Sequence, residues 1–404
     1  MRFLPKTINS STFYSLLFLA YLSLSLIRFT WPDQIINSIV ITAIGLYALS
    51  TVRIDRKLQA LILAFIFLLI ISFLVSSMLN TRLDRIIQNL LFILASSGIA
   101  LLLTTGLVSL WAVSIAFWGL SSYFVLLILL STDPMQAIFT SQNGISQMIL
   151  IAAILYYLVS NRLNQKIDLK PAFITLIISI WGVGRSGILV GFVLLFGLFF
   201  LKSESKVIRT MLITFVMLFI FFMAIPLYGS TEQIASFYGF FNDSFFKNAI
   251  LNYGKTFDST YTERGDIYLN YFQNLDLFKF LFGVNPKTEY WPDGEFLAYN
   301  YHNSFITLHS QTGLFGLIII LLLIISFFTF LKRDKIYSLL IVALSLRWST
   351  DSYLFFEFFD FVPLFFIFML FKTFEKALSR PRKKTNHDAA KAGVGRGQTL
   401  EASP

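Results

Sequence analysis

Apolar runs of about the same length follow one another from near residue 11 to residue 372, parted by short polar and basic segments. A helix needs roughly 20 mostly apolar residues to cross a bilayer. The pattern predicts twelve spans, at 11–29, 35–52, 59–78, 86–104, 107–131, 144–160, 171–184, 187–201, 208–228, 312–331, 336–350 and 353–372. Little more than Thr105-Gly106 separates the fourth from the fifth, which predicts a tight turn. The seventh and eighth are short and meet at Gly182-Val183-Gly184-Arg185-Ser186-Gly187, a glycine-rich break with one charge in it. Between the ninth and tenth spans lies a long stretch, 229–303, rich in Phe and Tyr and carrying Trp291. Its amphipathic pieces, such as Ile267-Tyr268-Leu269-Asn270-Tyr271-Phe272, predict short helices lying on a membrane surface. No repeat of fixed period is present.

Charge adds sidedness. With the N-terminus in the cytoplasm, one side receives Arg2, Lys6, Arg53, Arg56, Lys57, Arg162, Lys166, Lys170, Lys202, Lys206, Arg209, Lys332, Arg333 and Lys335, and the run from Lys372 to Lys384. The short loops of the other side receive only Arg28, Arg82, Arg85, Arg185 and Arg347. The positive-inside rule then puts both termini in the cytoplasm and 229–303 outside. The expected fold class is an all-α polytopic membrane protein with about 12 transmembrane helices and one large outer loop containing short interfacial helices. Residues 1–384 form one transmembrane domain. Residues 385–404 turn small and polar from Ala389 and read as a disordered tail or an appended cloning remnant.

Composition narrows the class. At 56% hydrophobic and 13% charged residues, the chain is too apolar for a soluble domain. The 46 Phe residues suit lipid-facing surfaces. The net charge of +10 is topological and implies no nucleic acid. The absence of cysteine excludes disulfides and thiolate metal sites. There is no phosphate-binding P-loop, no dinucleotide glycine fingerprint and no serine nucleophile elbow. The absence of any Asp-x-Asp argues against a metal-bound nucleotide-sugar transferase.

Ionisable groups at membrane depth are costly and point to function. Arg185, flanked by Gly184 and Gly187, is placed either to grip a phosphate through two parallel hydrogen bonds or to snorkel at a helix end. Arg264, in Thr262-Glu263-Arg264-Gly265-Asp266, is a second candidate, or a solvated charge paired with an acidic neighbour. His302 stands where the loop re-enters the membrane, as a proton acceptor or as a hydrogen-bonded interfacial histidine. His309, seven residues on, would share a helix face with it. That is not the spacing of a zinc pair, and no nearby carboxylate completes a metal set. Arg347 and Asp351, four apart, suit a helix-face ion pair or the lining of the same cavity. Glu357 and Asp360, in an aromatic stretch, should face a cavity or a partner.

Three blocks, in order, resemble the O-antigen ligase and O-antigen polymerase superfamily. The most specific is His302-Asn303, then nine residues, Gly313, two residues and Gly316. Gly184-Arg185-Ser186-Gly187-Ile188-Leu189 is similar to a second block, and Arg264 with Tyr268, Tyr271, Phe272 and Leu281-Phe282-Gly283 to a third. The resemblance covers about the C-terminal two thirds of the chain. It implies a transferase in the bacterial inner membrane, its active site facing the periplasm. The partners implied are an undecaprenyl-pyrophosphate-linked glycan donor, a glycan acceptor and the lipid bilayer, with a chain-length regulator as a further candidate; no metal and no cofactor is implied. Arg185 and Arg264 would hold the pyrophosphate, and His302 would act on the acceptor hydroxyl. Asn303, Arg347, Asp351 and His309 would bind substrate around them. The end at Arg347 and Asp351, followed by an aromatic span, looks more like a polymerase than a ligase acting on lipid A-core. A lipid-linked sugar transporter would show paired broken helices in inverted halves, and only the break at Gly184 is seen.

Overall fold

The computed structural model describes residues 10–30, 35–80, 86–132, 142–182, 185–205, 267–268, 271–285, 301, 303–350 and 357–378. Thirteen helices are defined among them: α1 (Ser10–Thr30), α2 (Ile35–Thr51), α3 (Arg56–Leu79), α4 (Ile86–Thr105), α5 (Leu110–Leu129), α6 (Gln142–Arg162), α7 (Lys170–Trp181), α8 (Arg185–Lys202), α9 (Leu277–Phe282), α10 (Ser304–Thr312), α11 (Leu314–Arg333), α12 (Lys335–Trp348) and α13 (Phe361–Leu378). The described residues contain no strand. Six helices, α1, α3, α4, α5, α6 and α11, are long and apolar enough to cross a bilayer, and α2, α7 and α8 are shorter apolar helices. The chain is an all-helical membrane protein. The predicted span 208–228, the tail 385–404 and most of 229–303 lie outside the described residues.

Helix ends differ from the hydropathy pattern where the backbone needs a positive φ. Gly106 adopts φ +86°, and Ser109 is extended, so α5 starts at Leu110 and not at 107. The predicted tenth span, 312–331, is α11, and Gly313, at φ +57°, separates it from the short helix α10 that precedes it. The predicted span 353–372 is displaced to α13, behind a turn at Glu357–Asp360 in which the Asp360 carboxylate accepts from the Glu357 N–H at 3.0 Å. Asp360 is buried and serves the turn, whereas Glu357 is exposed.

Burial separates centre from rim. Residues 144–162 of α6 are 89% buried, against 33% for α3 and 28% for α11. An apolar helix buried on all faces belongs at the middle of a bundle. It packs against α5, α7, α8 and α12. The most extensive pairing, α2 with α4, is built on small residues: a Cβ at Gly45 would meet the Ala95 backbone, and one at Gly98 the Gly45 carbonyl. Such close backbone approach is the usual way apolar helices associate where lipid competes for their side chains. Many of the described phenylalanines are buried. Phe361, Phe365, Phe366 and Phe368 of α13 are fully buried, with edge-on contacts such as Phe18–Phe361 at 6.1 Å and Tyr337–Phe365 at 5.8 Å.

Contacts sort the loops into two ends, as an alternating chain requires. At one end Arg162 donates to the Leu103 carbonyl at 2.7 Å and the Val108 carbonyl at 2.6 Å, Lys372 donates to the Thr104 carbonyl at 2.9 Å, and Asn161 donates to Asp334 at 2.6 Å. Ser15 accepts from the Ser109 N–H at 2.9 Å. The carbonyls freed at the end of α4 thus receive cationic donors. Arg162→Ala should lower stability by about 1.5–3 kcal/mol, the usual range for hydrogen bonds to a charged group. Thermal unfolding in detergent tests this, with Arg162→Lys expected to recover only part, because it lacks the two-pronged fork.

Candidate functional site

At the opposite end, α10 is held at both of its termini. Asn303 is extended, at φ −152° and ψ 114°, and caps the helix by accepting from the N–H groups of Phe305 at 2.9 Å and Ile306 at 3.2 Å. Its amide also donates to the Ser349 carbonyl at 3.3 Å, just past the end of α12. Phe305 packs edge-on against Trp348, ring centres 6.2 Å apart. Because α10 begins at Ser304 behind an extended residue, no helical face runs back from His309 to residue 302. Asn303→Ala should cost about 0.5–2 kcal/mol of stability, as N-cap losses do. Asn303→Asp keeps the cap but not the donor to Ser349, so it should recover most of the loss in a thermal unfolding scan.

His309 occupies the other end of α10 and is 4% exposed. Its Nε2 lies 3.0 Å from the Phe280 carbonyl and its Nδ1 2.6 Å from the Tyr271 hydroxyl. A carbonyl only accepts, so Nε2 carries a hydrogen; in the neutral ring Nδ1 then accepts from Tyr271. Burial pushes the His309 pKa below the ordinary histidine value, against the smaller opposing pull of the Phe280 carbonyl. The neutral ring is therefore the form that the fold prefers. Tyr271 in turn meets Tyr301 edge-on at 5.1 Å, within a small core of Ile267, Val284 and Ile306. His309 is thus a clasp between α10 and the loop segment that follows Arg264.

Two glycines seat this loop segment on α10. Gly283, at φ +85°, lies where a Cβ would meet the Ser310 carbonyl, and Gly313, at φ +57°, where one would meet the Leu281 carbonyl. The Val284 N–H donates to the Ser310 carbonyl at 2.9 Å. Helix α3 joins from the side: Asn80 donates to the Phe282 carbonyl at 3.0 Å, Asn285 to the Asn80 carbonyl at 2.8 Å, and Ser72 to the Thr312 carbonyl at 2.7 Å.

Arg347 lies inside the bundle near the end of α12, 1% exposed. Its Nε donates to Gln147 Oε1 of α6 at 2.9 Å, and its Nη1 donates to the Ser186 hydroxyl of α8. Gly187 presses on Ser146, leaving no room for a Cβ. Helices α6, α8 and α12 therefore converge on one buried guanidinium.

Comparison with known protein families, curated proteins and solved structures finds no match.

The site therefore stands on its own geometry. Among the candidates of the sequence, Asn303, His309 and Arg347 are placed with their partners. Arg185 is placed as the first residue of α8, next to Ser186. The side chain of Arg185 and the residues Arg264, His302 and Asp351 lie outside the described residues. Helix α12 ends at Trp348, and Arg347 bonds to Gln147 and Ser186; its expected pairing with Asp351 falls outside the described residues. Gln147 and Asn80 are site residues that sequence reasoning passed over, and Tyr271 and Ser186 were named only as parts of blocks, without the partners they meet. Of the two passed over, Gln147 carried a signal, as a polar amide inside an apolar run. Among the described residues, no three His, Asp or Glu side chains gather to hold a metal ion.

Proposed function

We propose that the protein is a metal-independent, inverting glycosyltransferase. In this reading it polymerises undecaprenyl-pyrophosphate-linked oligosaccharide repeat units at the periplasmic face of a bacterial inner membrane. The twelve-span arrangement with 229–303 outside belongs to the same proposal. One observation carries it: segments that resemble three separate blocks of the O-antigen polymerase and ligase superfamily are tied to one another in space. Ser186, beside Arg185, and Ser349, two residues beyond Arg347, anchor α8 and α10 to the end of α12. Tyr271 on His309 and the paired glycines join the segment after Arg264 to α10.

In the proposed reaction His302 takes the proton of the acceptor hydroxyl as its oxygen attacks the anomeric carbon. The new glycosidic C–O bond forms as the C–O bond to the pyrophosphate breaks on the opposite face. The bonding electrons leave with the lipid pyrophosphate, whose growing negative charge Arg185 and Arg264 neutralise. Fixed cations in a water-poor site stabilise that charge without reorganising. The donor carries its own activation, so the step needs neither a metal nor a nucleotide.

The test is purified protein in liposomes with lipid-linked repeat unit as the sole substrate. A ladder of products is expected. Product only after lipid A-core is added would make it a ligase, and no transfer under either condition overturns the reading. Arg185→Ala should reduce kcat by about 10²–10³-fold, the effect of losing one oxyanion donor. Arg185→Lys should not restore it, because an ammonium lacks the planar fork.

A further inference from the structure

We infer that Arg347 is a positioning residue, which sets the first turn of α8, and with it Arg185, through the Ser186 hydroxyl. This deepens the proposed transferase reading and rests on it. Burial is the first argument. Arg347 is 1% exposed, and so is Gln147, which takes its Nε hydrogen. Gln147 belongs to α6, the most enclosed of the candidate spans. Its amide is therefore a fixed reference, and the guanidinium transmits that reference through a rigid plane: one edge on Gln147, another on Ser186. The tight seat of Gly187 on Ser146 closes the remaining direction, because α8 cannot approach α6 further.

Cost is the second argument. A buried cation in an apolar bundle is expensive, and a packed apolar side chain of similar volume often gives equal or better stability. Packing alone gives no reason for a guanidinium at this position. Placement of a neighbouring turn does, because a guanidinium defines directions that an apolar side chain does not. The third argument is shared support. Two residues on from Arg347, the Ser349 carbonyl holds Asn303, the residue next to His302. The end of α12 therefore fixes the helix start that follows the proposed base and the turn that carries the proposed phosphate grip. A displacement of about 1 Å at such a site costs on the order of 10²-fold in rate.

The experiment compares Ser186→Ala, Arg347→Met, their double variant and Arg185→Ala, with lipid-linked repeat unit as donor. Thermal unfolding, kcat per folded molecule and donor KM are measured for each. Ser186→Ala should fold normally and lose about tenfold to 10²-fold in kcat, with donor KM within about threefold of wild type. The double variant should be no worse than Arg347→Met, because the two residues act as one unit. Wild-type kcat in Ser186→Ala, beside an impaired Arg185→Ala, overturns the inference and spares the transferase reading. Additive losses in the double variant also overturn it. If Arg347→Met does not fold, Ser186→Ala decides by the same criterion. Full activity of Arg185→Ala overturns the phosphate-grip reading itself, and the inference with it.

Discussion

With His302 replaced by alanine, transfer from a purified lipid-linked glycan should fall by about 10²–10⁴-fold, the usual contribution of a positioned general base. The protein should still insert and unfold at the wild-type temperature, because the cap and tether of α10 belong to Asn303 and the clasp to His309. The two histidines should thus separate cleanly. His309→Ala removes a ring whose two nitrogens are both bonded within the fold, so its loss should appear as instability before it appears as slow chemistry. Near-normal turnover by His302→Ala would remove the base from the mechanism.

The largest stability effect should come from Gly313→Ala. Its backbone sits at φ +57°, which costs an L-residue roughly 1–2 kcal/mol. Its Cβ would also drive into the Leu281 carbonyl, and overpacking of that kind costs about 1–3 kcal/mol. Together the loss is about 2–5 kcal/mol, enough to lower the yield of folded protein severely. Gly119 is the control: nothing lies within 4 Å of a Cβ there, so Gly119→Ala should be neutral or slightly stabilising. Equal unfolding temperatures for the two variants would show that the seat on Leu281 is not as described.

Hydropathy located the apolar helices because each must present an apolar surface over its own length, and that is a local property. The start of α5 after Gly106 was misplaced, and the separate helix before Gly313 unforeseen, because an apolar run does not reveal where one residue turns to positive φ. Arg162 and Lys372 were legible as charges favouring one side, but not as donors to the α4–α5 turn, which depends on packing. The same limit applied at the site. Asn303 caps its own neighbours, a local contact, whereas Tyr271 finds His309 across 38 residues, and Arg347 finds Ser186 and Gln147 across 161 and 200. Such pairings are set by how the helices and the loop dock, and no sequence period records them. The sequence did not show which Phe side chains turn inward, such as those of α13, because aromatic rings fill an interior as readily as they meet lipid.

The reciprocal seating of Gly283 and Gly313 makes the segment around 281–284 and helix α10 a single interchangeable part. A chimera that exchanges this part of the chain would have to carry 277–316 across as one cassette. A graft that stops at residue 303 would bring a donor loop against a foreign helix, and the two halves of the joint would no longer mate.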